Sequence, residues 1–150
     1  EVNLGGGSRV GEEWKEGARR AVRAVLHAVG DSGHDWMITI KNRSATSLTD
    51  GMSASAAVAV AIMAAHQGGV LRSDVVLSGQ IRPDGRLDVV GGLPVKIEAA
   101  ANAHYRAIIV PLDQGLTADW MSSTDVASRR RVQLIQAGTL DEAYHAMTVR

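Results

Sequence analysis

Val90-Gly91-Gly92-Leu93-Pro94-Val95-Lys96-Ile97-Glu98-Ala99-Ala100 reads as a glycine turn that opens into a helix. Pro94 suits the first helical turn, where its missing N–H is no loss. Lys96 then stands near the helix start, flanked by Val95, Ile97 and small residues. A lysine so placed is open to desolvation, which disfavours the ammonium and lowers the pKa; a helix N-terminus acts in the same direction. A surface lysine on an amphipathic helix is the plainer reading of the same letters.

Upstream, Thr49-Asp50-Gly51-Met52-Ser53-Ala54-Ser55 is the second informative run. Asp50-Gly51 is a turn pair, and Ser53 stands at the start of a strongly apolar segment that continues to His66. A helix N-terminus offers unpaired N–H groups and a positive dipole end, the groups that hold a developing oxyanion. Serine is also a favoured N-cap, so the position alone does not separate nucleophile from cap. A serine and a neutral lysine together perform acyl transfer without histidine or metal.

The remaining pattern alternates helices and strands. From Gly11, residues Trp14, Ala18, Ala21, Val22, Val25, Leu26 and Val29 recur at helical spacing, with Gly30 as a stop. Trp36–Ile40 reads as a strand, Ser53–His66 as a buried helix and Asp74–Ile81 as a strand. Pro83-Asp84-Gly85 turns the chain and Leu87–Val90 returns. A helix runs from Pro94 to about His104, followed by a buried strand, Ala107–Val110. A weaker helix covers Leu116–Met121, a last strand Val132–Ile135, and Thr139 with Glu142 forms a capping box for a helix to Met147. The glycines Gly5-Gly6-Gly7 form a flexible turn and not a phosphate loop, since no lysine and hydroxyl residue follow. The fold class is α/β (α+β), a mixed sheet with packed helices in a single domain over residues 1–150. The chain starts at Glu1 and reads as a fragment or the C-terminal part of a longer one.

Composition narrows function further. Hydrophobic residues make up 45 % and aromatic residues only 3 %, with no Phe, so the core is built of small side chains. Sixteen basic and sixteen acidic residues cancel, which gives no electrostatic case for nucleic acid or an acidic membrane. Arg129-Arg130-Arg131 reads as a solvated loop or helix end. Cysteine is absent, which excludes disulfides and a thiolate nucleophile. The apolar run Ala56–Ala65 is too short to span a bilayer. The histidines His27, His66, His104 and His145 lack ligand spacing, so a metal site is not expected. Polar His34 belongs to a loop.

The two runs, their order and the strand between them resemble the proteolytic domain of Lon proteases. The resemblance covers about Gly11 to Met147. It implies that Ser53 is the nucleophile, within a run similar to Asp50-Gly51-Met52-Ser53-Ala54, and that Lys96 is the general base. Arg72-Ser73-Asp74-Val75-Val76-Leu77-Ser78-Gly79 looks like the family's arginine-x-aspartate strand, and Ser78 falls on its threonine, whose hydroxyl would orient the lysine. Asp50, Gly51 and Met52 would support the serine turn. Ser55 is similar to the archaeal type, whereas Met52 fits neither type and Gln80 stands where an acidic residue is usual. The resemblance implies a cytoplasmic serine endopeptidase that cleaves unfolded polypeptides, with its hydroxyl and amine within hydrogen-bond reach or somewhat farther apart when unliganded. It further implies assembly as a hexameric ring and no cofactor in this domain, with ATP used by an ATPase module outside it. A catalytically silent scaffold for ring assembly or peptide binding is the alternative, supported only by Met52 and Gln80.

Overall fold

A computed structural model of the protein describes residues 2–3, 9–41, 48–49 and 51–149. The glycine turn at residues 5–7 and Asp50 lie outside the described residues. The elements run β1 (Val2–Asn3), β2 (Arg9–Val10), α1 (Glu12–Val29), β3 (Ile38–Thr39), β4 (Leu48–Thr49) and α2 (Ser55–Gln67). They continue with β5 (Val75–Leu77), β6 (Gln80–Ile81), β7 (Leu87–Asp88), α3 (Leu93–Asn102) and β8 (Ala107–Pro111). A 3-10 helix (Leu112–Leu116), α4 (Trp120–Arg130), β9 (Gln133–Ala137) and α5 (Leu140–Met147) complete the order.

Strands β5, β8 and β9 form a parallel sheet with β8 at its centre. Parallel pairing needs a crossover on each return. Helix α3 lies in the first return and α4 in the second. Every residue of β8 is buried, as a central parallel strand with helices on both faces requires. Its side chains alternate between two cores. Ile108 and Val110 meet Leu93 and Ile97 of α3 and Val126 of α4. Ala107 and Ile109 face the other side, where α1, α2 and α5 gather. There Ala21, Ala24, Ala56 and Ala59 have no exposed surface. Small side chains let α1 and α2 approach closely, which is the structural use of a core without Phe.

Most elements fall where the sequence places them. Gly30 closes α1 in the left-handed region at φ 68°, and Thr139 caps α5 by accepting the Glu142 N–H at 3.2 Å. The Glu142 carboxylate accepts from the N–H of Gly138 rather than of Thr139. The triple arginine ends α4: Arg129 pairs with Asp125, while Arg130 reaches Glu98 and Asn102 on α3.

The short strands β1, β2 and β4 were not expected, and two expected elements take a different course. The strand expected over Asp74–Ile81 is broken at Ser78-Gly79, because the chain leaves β8 there to meet the start of α2. The helix expected over Leu116–Met121 is instead a 3-10 turn followed by a true helix, Trp120–Arg130. Its core positions are Ser123, Val126 and Ala127. Ser123 is fully buried because its hydroxyl donates to the Asp119 carbonyl at 2.9 Å. A serine in the apolar stripe hid the helical period.

Candidate active site

Ser53 occupies the turn just before α2, one residue ahead of the helix cap at Ala54. No side chain caps this helix. The backbone of the 78–81 segment does so instead. The Ser53 carbonyl accepts the Gly79 N–H at 2.9 Å, and the Ala56 N–H, one of the orphan donors of the helix start, donates to the Gly79 carbonyl at 3.1 Å. A Cβ at Gly79 would stand in contact with Ala56 and Pro111, each 3.4 Å away. Gly51, at φ 95°, supplies the left-handed conformation that starts the turn.

Ser55 is the third tie. It is only 3 % exposed, and its Oγ accepts the Ile81 N–H at 2.8 Å. Ser55→Ala leaves that buried N–H unpaired, a cost of about 1–3 kcal/mol. Chemical denaturation should show the loss; an unchanged unfolding midpoint would mean that Ser55 does not hold the turn.

Met52 faces α1. Its Cγ lies 3.4 Å from where a Cβ on Gly17 would stand, and the Cβ of Ser55 lies 3.1 Å from the same point. Gly17, inside a helix where glycine is unfavourable, thus makes room for the serine turn. Sequence reading missed it, although an isolated glycine inside a helical stripe was the available signal.

Ser78 is 9 % exposed and is brought beside Ser53 through Gly79; its N–H donates to the Ile109 carbonyl at 3.0 Å. Lys96 is half-buried on the second turn side of the α3 start, its N–H bonded to the Gly92 carbonyl at 3.2 Å. Burial lowers the pKa of its amine from the ordinary 10.5. Ile97 beside it is fully buried, but Val95 is 73 % exposed, so Val95 contributes little of the desolvation expected of it. Among the described residues no hydrogen bond joins the Lys96 amine to either serine hydroxyl. Catalytic hydrogen bonds are often long in unliganded sites and tighten on substrate.

Gln80, the other departure, has a use. Its side-chain amide donates to the Val89 carbonyl at 3.1 Å, a bond that a carboxylate could not make. Gln114, wholly buried, bonds the backbone of Val90. Nothing in its surroundings in the sequence marks it for burial. The described residues hold no cluster of three or more His, Asp or Glu able to bind a metal, and no described helix is long and apolar enough to cross a membrane. A groove of about 930 Å³ runs between α2 and the Trp36–Lys41 segment, with Ala54, the residue after Ser53, in its wall. Trp36, Ile38, Ala57, Val58 and Ala61 make it largely apolar.

The sequence profile of the Lon protease (S16) C-terminal proteolytic domain matches residues 8–147. Lon protease 1 of Herpetosiphon aurantiacus is 34 % identical over 109 residues, which are 69 % of this chain and 13 % of that protein. Lon protease of Syntrophomonas wolfei is 28 % identical over 142 residues, 89 % of this chain and 17 % of the relative. Archaeal Lon protease of Methanocaldococcus jannaschii is 31 % identical over 105 residues, 70 % and 15 % of the two chains. The chain therefore spans less than a fifth of the length of these relatives, and within that span it belongs to the Lon protease C-terminal proteolytic domain family.

Proposed function

We propose that the protein is a serine endopeptidase domain that works through a Ser53–Lys96 dyad. The observation that carries the reading is the half-buried Lys96 amine, driven toward its neutral form, within the run that matches the family's lysine motif. Lys96 Nζ takes the proton of Ser53 Oγ as the oxygen attacks the peptide carbonyl carbon. The resulting oxyanion is stabilised by N–H groups of the turn before α2. Lys96 then passes the proton to the leaving amine, the C–N bond breaks, and an ester remains on Ser53. Water repeats the sequence: Lys96 accepts its proton, the ester is cleaved, and the proton returns to Ser53 Oγ. Ser78 orients the lysine amine.

The substrate is an unfolded polypeptide lying extended along the apolar groove beside Ala54. No cofactor takes part in these steps. The parent assembly is a cytoplasmic hexameric ring in which an ATPase module outside this chain uses ATP to deliver substrate. Met52 packs on Gly17 and Gln80 ties Val89, so each of the two departures that suggest a silent scaffold has a structural use. The test is digestion of a permanently unfolded polypeptide beside a stably folded protein, with and without a metal chelator. Fragmentation of the unfolded chain alone, indifferent to the chelator, is the expected result. Intact substrate under all conditions would favour the scaffold.

A further inference from the structure

Two glutamines grip the two residues that lead into the Lys96 helix. Val89 and Val90 follow β7 and precede Gly91-Gly92. Gln114 lies in the 3-10 helix after β8 with no exposed surface. Its Oε1 accepts the Val90 N–H at 3.1 Å, and its Nε2 donates to the Val90 carbonyl at 2.8 Å. Because one backbone group is a donor and the other an acceptor, only one orientation of the amide satisfies both. Gln80 in β6 donates to the Val89 carbonyl at 3.1 Å. Directly beyond, Gly92 at φ 66° reverses the chain and its carbonyl receives the Lys96 N–H.

The same segment is joined to the serine turn. Gly79, next to Gln80, bonds Ser53, and Ile81 on its other side bonds Ser55. A path of hydrogen bonds and peptide links therefore runs from Ser53 through Gly79 and Gln80 to Val89, Val90 and the start of α3. We infer that Gln80 and Gln114 are positioning residues that set the Lys96 helix against the Ser53 turn. The inference rests on the dyad reading above. Neither residue touches substrate; each acts by fixing where the lysine amine stands. A side chain of equal length without an amide would keep the packing and lose the grip.

The test uses Gln80→Met and Gln114→Met, which change no charge. Lys15, Lys41 and Lys96 are the only lysines, so the Lys96 side-chain carbon signal can be followed by NMR through a pH titration. In both variants the Lys96 midpoint should move up toward 10.5 as the helix loosens and water reaches the amine. The alkaline rise of kcat/KM should move with it, and kcat should fall by about tenfold at nearly constant KM, as a small misplacement of a catalytic group does. A change in neither readout, or in only one of them, overturns the inference. If Gln114→Met does not fold, the partly exposed Gln80→Met decides. Failure of the dyad itself is distinguishable, because it would show as turnover that survives in Ser53→Ala, and the lysine titration is read without any turnover.

Discussion

Ser53→Ala should abolish peptide cleavage, a loss of roughly 10³- to 10⁶-fold in kcat, while the melting curve stays that of the parent. The two halves of this expectation have separate causes. Chemically, alanine removes the oxygen that the proposed mechanism uses to form the acyl ester. Structurally, Ser53 is anchored by its carbonyl, which accepts the Gly79 N–H, and alanine keeps that carbonyl. The contrast with Ser55, two residues on, is sharp: there the hydroxyl itself carries the buried bond to Ile81. One serine should cost activity without stability and the other stability first. Because the proposed dyad would act as a unit, Ser53→Ala combined with Lys96→Ala should be no worse than either alone. Peptide turnover by Ser53→Ala with unchanged circular dichroism would remove Ser53 from the mechanism.

Lys96→Arg should be nearly as inactive as Ser53→Ala. Guanidinium stays protonated at any working pH and cannot accept the serine proton. In the parent, kcat/KM should rise with pH through the lowered lysine pKa and peak on the alkaline side of neutral. The same shift has a consequence for folding. The folded-state pKa lies below 10.5, so between the two values the unfolded chain binds more protons than the native one. Stability from this group therefore rises with pH across that window, and below the lowered pKa the full penalty of burying the ammonium applies. Lys96→Met should flatten this slope. The check is a pH series of kcat/KM and of denaturant midpoints for parent, Lys96→Arg and Lys96→Met. An arginine variant as active as the parent would show that position 96 supplies only charge.

How far the molecule was legible in its sequence depended on how local each signal was. The stripe of α1 and its Gly30 stop, the Pro83-Asp84-Gly85 turn and the Thr139 cap are short-range devices, and each appears in the fold. Helix α4 was misplaced because a buried serine stood at a core position, its hydroxyl satisfied by a backbone carbonyl four residues back. The break at Ser78-Gly79 was invisible because its cause is the distant α2 terminus. Ser53, Ser78 and Lys96, the residues of the proposed site, were singled out from two runs and a strand. Gly17 and Gln114 were not, since their importance lies in contacts with Met52, Ser55 and Val90 far along the chain. Gln80 was noticed as a departure, but its bond to Val89 is a fact of tertiary structure.

The most direct measurement is covalent trapping: the protein is treated with a serine-directed phosphonate and the modified peptide located by mass spectrometry. A functioning dyad gives a single adduct on Ser53, formed faster as pH rises through the Lys96 titration and lost in Lys96→Met. An adduct on another residue, or labelling of Ser53 that is indifferent to both pH and Lys96, would contradict a serine nucleophile activated by this lysine.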